Sequence, residues 1–245
     1  MSFTVIIPAR YAATRLPGKL LLDLMGTPLL QHTFEQAQKS NAQAVYIATD
    51  DARIEAAAKK FGAKVIMTSD SHVSGTDRLQ EAASLIGLST SDVVVNVQGD
   101  EPLIPPEVIN QVASNIVSKK EFGIATLCEL IADDIEIDDP NSVKVVFDNV
   151  GNALYFSRSN LPHNGSVSAG NSYRHVGLYA YRVDVLNQFI RWPVAQLELS
   201  EKLEQLRALY NGVKIHVEVS SQQIPAGVDT QRDLESVRQF LMSAG

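Results

Sequence analysis

The residues with most chemistry to offer lie in Phe3 to Lys19, FTVIIPARYAATRLPGK, where Arg10, Arg15 and Lys19 share one loop. Two guanidinium forks and an ammonium repel one another unless an anion sits among them, and phosphate oxygens suit both kinds of donor. The loop follows an apolar run, Phe3-Thr4-Val5-Ile6-Ile7, that reads as a buried strand ended by Pro8, which cannot donate to a central ladder. Pro17-Gly18 turns the chain just before Lys19, and Leu20, Leu21, Leu22 and Leu24 begin the next apolar pattern. A cationic loop at the carboxyl edge of a parallel sheet is where an α/β protein holds a polyanion. It is not a Walker A loop, which needs Gly where Ala13 stands and Ser or Thr where Leu20 stands. Side-chain cations would therefore do most of the gripping; the competing reading is a solvated basic loop.

Carboxylates supply the second ingredient. Asp100 and Glu101 adjoin in Asn96-Val97-Gln98-Gly99-Asp100-Glu101-Pro102, directly after a very apolar strand. Paired carboxylates there are costly without a partner. A hard cation is a natural one, since it takes oxygen ligands and keeps phosphate oxygens in its shell; the alternative is that Asp100 caps a turn. Asp229 lies in IPAGVDTQRDL, where Thr230 and Asp233 fit a capping box and leave Asp229 exposed before the helix. Asp100 with Asp229 would make a split metal site. Ser74-Gly75-Thr76-Asp77-Arg78 could read a base edge or simply cap a helix. Arg158, and His175 beside Arg174, flank β-like runs; a lone His next to Arg is more often a surface residue, and no His/Cys spacing suggests zinc. Glu204 and Arg207 at i, i+3 would ordinarily form a solvated helix pair.

The elements that must position these groups alternate through the first half. Helices are expected over Leu29–Lys39, Ala52–Phe61 with Gly62 at C′, and Asp77–Leu85; strands over Ala44–Ala48, Lys64–Met67 and Val93–Val97. This β-loop-α repetition predicts a parallel, doubly wound sheet. The second half opens with a helix at Pro106–Asn115, Pro suiting the first turn. Strand-like runs follow at Gly123–Leu127, Val143–Asp148, Ala153–Ser157, His175–Tyr181 and Lys214–Val219. Helices are expected over Leu186–Ile190, Leu197–Leu209 and Leu234–Leu241. No Gly/Ser linker separates the halves, so one continuous domain over 1–245 is expected. The change of pattern along the chain divides it into parts over about 1–128, 129–220 and 221–245.

Composition narrows the class. The chain has 245 residues, 45% hydrophobic and 20% charged, with a net charge of −7 that argues against a nucleic-acid surface. No signal-peptide profile or membrane-length apolar stretch is present, and the single Cys128 sits in an apolar run as a core residue. A cytoplasmic protein without nucleic-acid or membrane partners is expected.

IIPARYAATRLPGK, ATDD, SGTDRL, NVQGDEP, YFSR, RHVGLYAYR, LEQLR and GVDTQRDL occur in an order that resembles the 3-deoxy-manno-octulosonate (Kdo) cytidylyltransferase family over essentially the whole chain. The first motif and NVQGDEP are shared more loosely with other sugar nucleotidyltransferases, whereas RHVGLYAYR, LEQLR and GVDT are much more specific to the Kdo branch. The resemblance implies a Rossmann-like nucleotidyltransferase fold, α/β with a mostly parallel sheet and a β-rich sugar-binding and dimerisation extension: a nucleotide-binding part over about 1–128, a sugar-acid and dimerisation part over about 129–220, and a C-terminal return over about 221–245. It implies Mg²⁺-dependent transfer of CMP from CTP to a Kdo-type sugar acid with release of pyrophosphate, for lipopolysaccharide assembly, by a homodimer. Lys19, Arg10 and Asp100 would be catalytic. Ala9, Arg10, Arg15, Lys19, Ser74, Gly75, Arg78 and Gln98 would bind the nucleotide, and Asp100 and Asp229 the metal. Arg158, His175, Tyr179, Glu204 and Gln205 would line the sugar pocket. Other readings are a cytidylyltransferase of a different sugar acid such as a sialate, and a non-catalytic nucleotide sensor.

One stretch departs from the family pattern. After YFSRSNLP the family usually carries a longer insert with a run such as PxDRD, whereas His163 to Ser172 here is short, polar and without Arg, Lys or Asp. Fewer cations near the sugar would relieve repulsion of an ammonium, so this loop points to the 8-amino-8-deoxy form of Kdo as a competing substrate.

Overall fold

The computed structural model describes residues 2–12, 16–72, 74–163 and 171–244. In chain order the strands and helices of the first half are β1 (Thr4–Ala9), β2 (Asp23–Leu24), β3 (Thr27–Pro28), α1 (Leu29–Gln38), β4 (Ala44–Thr49), α2 (Ala52–Lys60), β5 (Lys64–Met67), α3 (Gly75–Ile86) and β6 (Val93–Asn96). The second half contributes α4 (Pro106–Ser118), β7 (Ile124–Leu130), α5 (Asp134–Asp138), β8 (Lys144–Phe147), β9 (Ala153–Ser157), β10 (Tyr173–Arg182), α6 (Val183–Phe189), α7 (Gln196–Glu201), α8 (Gln205–Tyr210), β11 (Ile215–Val219) and α9 (Gln231–Ala244).

The main sheet runs β11-β7-β10-β6-β1-β4-β5, with β8 paired to β10 and β9 paired to β8. β1 pairs in parallel with β4 and β6, as do β4 with β5 and β7 with β11; only β10 runs against its neighbours β6 and β7 on this path. Side chains alternate across a strand, so Val5 and Ile7 join a core with α1 and α4 while Ile6 joins another with α3 and α6. Val93 and Val95 are likewise separated from Val94. Helices on both faces of a mostly parallel sheet make the expected α/β, doubly wound architecture.

Three local expectations change. Pro8 stays within β1 and pairs with Ala48 rather than ending the strand. Ile6 accepts from Val97 N on the β6 side, and alternate residues of a parallel strand face the same neighbour. Pro8 thus faces the side where β1–β6 pairing has already stopped at Ile6, and its missing N–H leaves no ladder bond unmade. The expected helix Leu197–Leu209 is two helices, α7 and α8, because Lys202 takes the left-handed conformation at φ 54°. Finally, Arg207 does not form the solvated pair with Glu204. It grips Glu198 through Nε at 2.8 Å and Nη2 at 2.5 Å, both side chains buried. Arg207→Leu, leaving the Glu198 carboxylate buried and unpaired, is expected to cost about 3–5 kcal/mol, read as a lowered urea midpoint; an unchanged midpoint would show the pair to be dispensable.

Candidate active site

The site begins where β1 gives way to the cationic loop. Tyr11 O accepts from Gly18 N at 3.0 Å, closing the loop on itself. Gly18 has φ +67°, and a Cβ there would meet the Tyr11 ring at 3.1 Å, so the turn requires glycine. Lys19 leaves this turn and reaches two carboxylates from distant segments. Its Nζ donates to Asp100 Oδ2 at 2.5 Å and to Asp229 Oδ1 at 2.8 Å. Burial disfavours the ammonium charge, but the Asp100 and Asp229 carboxylates outweigh that and hold the Lys19 pKa above its ordinary value.

Each carboxylate is placed by backbone contacts. Gly99 packs so closely on Leu20 and Leu30 that a Cβ would sit 3.3 Å from them, and its carbonyl accepts from the buried Thr33 hydroxyl at 3.0 Å. Val228 N donates to Asp100 O at 2.8 Å, tying the GVDT segment to the end of β6. The capping box expected of Thr230 and Asp233 is formed: Asp233 N donates to Thr230 Oγ1 at 3.2 Å and Thr230 N to Asp233 Oδ2 at 2.8 Å. That leaves Asp229, just before the helix, to face Lys19. Glu101, beside Asp100, is pushed up to about 8 by burial and the neighbouring carboxylate.

Lys19, Asp100 and Asp229 line a cavity of about 360 Å³ with Arg10, Gly75 and Gln98. A second cavity, of about 300 Å³, shares Gly75 and Gln98 with it and continues to His175, Tyr179, Glu204 and Gln205. The helix break at Lys202 brings Glu204 and Gln205 to this wall. The Tyr179 hydroxyl and the Gln205 amide nitrogen are buried there without a hydrogen-bond partner among the described residues. Groups so placed are costly unless a ligand satisfies them. Burial lowers His175 to about 3, assisted by Arg174, so its imidazole is neutral, and it is a partly buried pocket residue rather than a surface one.

The remaining candidates among the described residues line neither cavity. Ala9 is buried within β1. Ser74 caps α3, accepting from Asp77 N at 3.1 Å. Arg78 is buried, bonded to Thr68 and, at 2.8 Å, to Asp50; it lines a neighbouring cavity with Arg10 and His72. Arg158 is not among the residues lining the second cavity; its guanidinium donates to Glu201 O and Pro140 O, each at 2.8 Å. Arg15 lies outside the described residues, as do 164–170 of the short polar loop. Thr76 and Tyr181, not anticipated, also line the second cavity. Tyr181 follows Tyr179 by two on one strand, a spacing that places both on one face.

Two carboxylates converging on one cationic centre, beside a basic loop, suit a triphosphate with a hard metal ion. The cytidylyltransferase family profile matches residues 4–215. A 3-deoxy-manno-octulosonate cytidylyltransferase of Cellvibrio japonicus is 53% identical, the match covering 98% of this chain and 98% of that protein. Its counterpart in Marinobacter nauticus is 52% identical over 100% and 99% of the two chains. A solved structure of CMP:2-keto-3-deoxy-manno-octonic acid synthetase complexed with CTP superposes with a TM-score of 0.93 at 40% identity, covering 100% of this chain and 99% of that one.

Proposed function

Since this chain belongs to the 3-deoxy-manno-octulosonate cytidylyltransferase family, we propose that it transfers CMP from CTP to the anomeric hydroxyl of a Kdo-type sugar acid and releases pyrophosphate. The observation that carries the reading is Lys19 held between Asp100 and Asp229 in a cavity that adjoins, at Gly75 and Gln98, a second one lined by His175, Tyr179, Glu204 and Gln205. The first cavity takes the nucleotide and the second the sugar acid. The sugar hydroxyl attacks the α-phosphorus and gives up its proton to solvent, a P–O bond forms, and the bond to the pyrophosphate oxygen breaks. In-line displacement of this kind needs positioning and charge neutralisation more than covalent help. Arg10 and Lys19 supply the cations beside the phosphates.

The donor set also fits Mg²⁺, which is commonly held by one or two carboxylates together with phosphate oxygens. Asp100 and Asp229 already share one cation, the Lys19 ammonium. When bound, the metal supplies charge neutralisation at phosphate and makes a nearby hydroxyl more acidic. Lys19 would then exchange its carboxylate partners for phosphate. The reading extends to a cytoplasmic homodimer serving lipopolysaccharide assembly. The dimer is supported by β9, which among the described residues pairs only with β8 and which exposes Leu154.

A second reading concerns the sugar. The absence of Arg, Lys and Asp from His163–Ser172, together with a Glu204 carboxylate on the cavity wall, favours the 8-amino form of Kdo. Pyrophosphate release from CTP with Mg²⁺, run in parallel with Kdo, 8-amino-8-deoxy-Kdo and N-acetylneuraminate, decides. Release with the two Kdo forms and not with the sialate is expected. Faster release with the amino sugar would make the short loop a specificity element, and no release with any of them would overturn the reaction.

A further inference from the structure

One buried hydroxyl, used by none of the steps above, joins the start of a helix at the nucleotide cavity to the wall of the sugar cavity. Thr76 is 5% exposed and follows Gly75, which lines both cavities. Its Oγ1 donates to Glu204 Oε2 at 2.7 Å, between segments far apart in the chain. The Tyr181 phenol from β10 faces the same hydroxyl. The capping box of Ser74 and Asp77 brackets Thr76 on both sides and fixes the first turn of α3. We propose that Thr76 is a positioning residue: from the nucleotide-side helix it orients the Glu204 carboxylate, in its ionised form, toward the hydroxyls of the incoming sugar acid. This rests on the reaction proposed above.

The charged and titratable groups facing Glu204 are Arg207 and Glu198 from α8 and α7, Asp77 from α3, and Tyr179 and Tyr181 from β10. Burial raises the Glu204 pKa, and the Thr76 hydrogen bond opposes that rise. Removing the hydroxyl removes an interaction that favours the carboxylate, so the pKa climbs further and ionisation is reached only at higher pH.

The test is Thr76→Val, close in shape but without the hydroxyl, assayed by pyrophosphate release across pH after its thermal midpoint has been compared with wild type. The expected result is a KM for the sugar acid raised roughly tenfold, a KM for CTP within about twofold, and an acid limb of sugar kcat/KM moved to higher pH. Thr76→Ser should restore all three. Glu204→Gln gives an arm independent of how T76V folds: it keeps an acceptor for Thr76 but has no carboxyl to titrate, so the acid limb should vanish. An acid limb that persists in E204Q, one unmoved in folded T76V, or an equal rise in the KM for CTP would overturn the assignment. Active wild type with T76V indistinguishable from it overturns this inference alone, whereas wild type inactive with every sugar acid overturns the proposed reaction and the inference together.

Discussion

Asp100→Asn is expected to abolish turnover while leaving the protein folded. Asp100 is the closer of the two carboxylates on Lys19, and its backbone carbonyl receives Val228 N. The amide keeps the shape and that backbone contact but removes the charge a divalent ion needs. Rate losses of at least about a hundredfold follow removal of a single preorganised electrostatic group in sites of this type. Stability should change little, because the Asp100 side chain is 26% exposed and a pair so close to water contributes modestly. Lys19 also retains Asp229 at 2.8 Å. The measurement is Mg²⁺-dependent pyrophosphate release beside a thermal melt. Wild-type activity in the variant would remove the metal assignment; lost activity with a collapsed melt would make Asp100 a folding residue instead.

Lys19→Ala should produce the second-largest effect, and of a different kind. Lys19 lies at the end of a turn fixed by Gly18, its side chain only 13% exposed. The pKa shift runs upward, so the ammonium stays charged throughout the neutral range. A phosphate-side cation acts mainly on the charge that develops during displacement. The expected result is therefore a kcat reduced by about 10²–10³ and a sugar-acid KM changed little. An effect confined to the KM for sugar would contradict the phosphate role. The variant also leaves Asp100 and Asp229 facing each other without their cation, which sets it apart from a mutation at the sugar cavity.

What could be read from the sequence was local. Thr230 with Asp233 announced a capping box through side chain–backbone spacing alone, and it formed; Ser74 was legible as a helix cap, while its reciprocal partner Asp77 and the helix start at Gly75 were not. The Val93–Val95 run announced a central strand because three consecutive apolar residues suit a sheet buried on both faces, as it is here. Long-range partners were not legible. Nothing in the spacing says that Lys19 reaches Asp100 across 81 positions and Asp229 across 210; the family resemblance, rather than periodicity, brought those motifs together. Arg207 misled for a related reason: helical spacing offers Glu204, while the break at Lys202 turns Arg207 toward Glu198. That same break delivers Glu204 to Thr76, so the error and the missed residue have one cause.

β10 lies between β6 and β7, running against both. Both flanking strands precede it in the chain, and neither can complete its hydrogen bonding until it arrives. During refolding each therefore carries an unsatisfied edge, and the readiest partner for one edge is the other. Direct β6–β7 pairing would be an off-pathway register that must dissolve before β10 can enter. Closure over such sequence separations is intrinsically slow, and open strand edges invite intermolecular pairing meanwhile. Recovery from denaturant should accordingly fall as protein concentration rises, with the yield decided by competition between late strand insertion and aggregation.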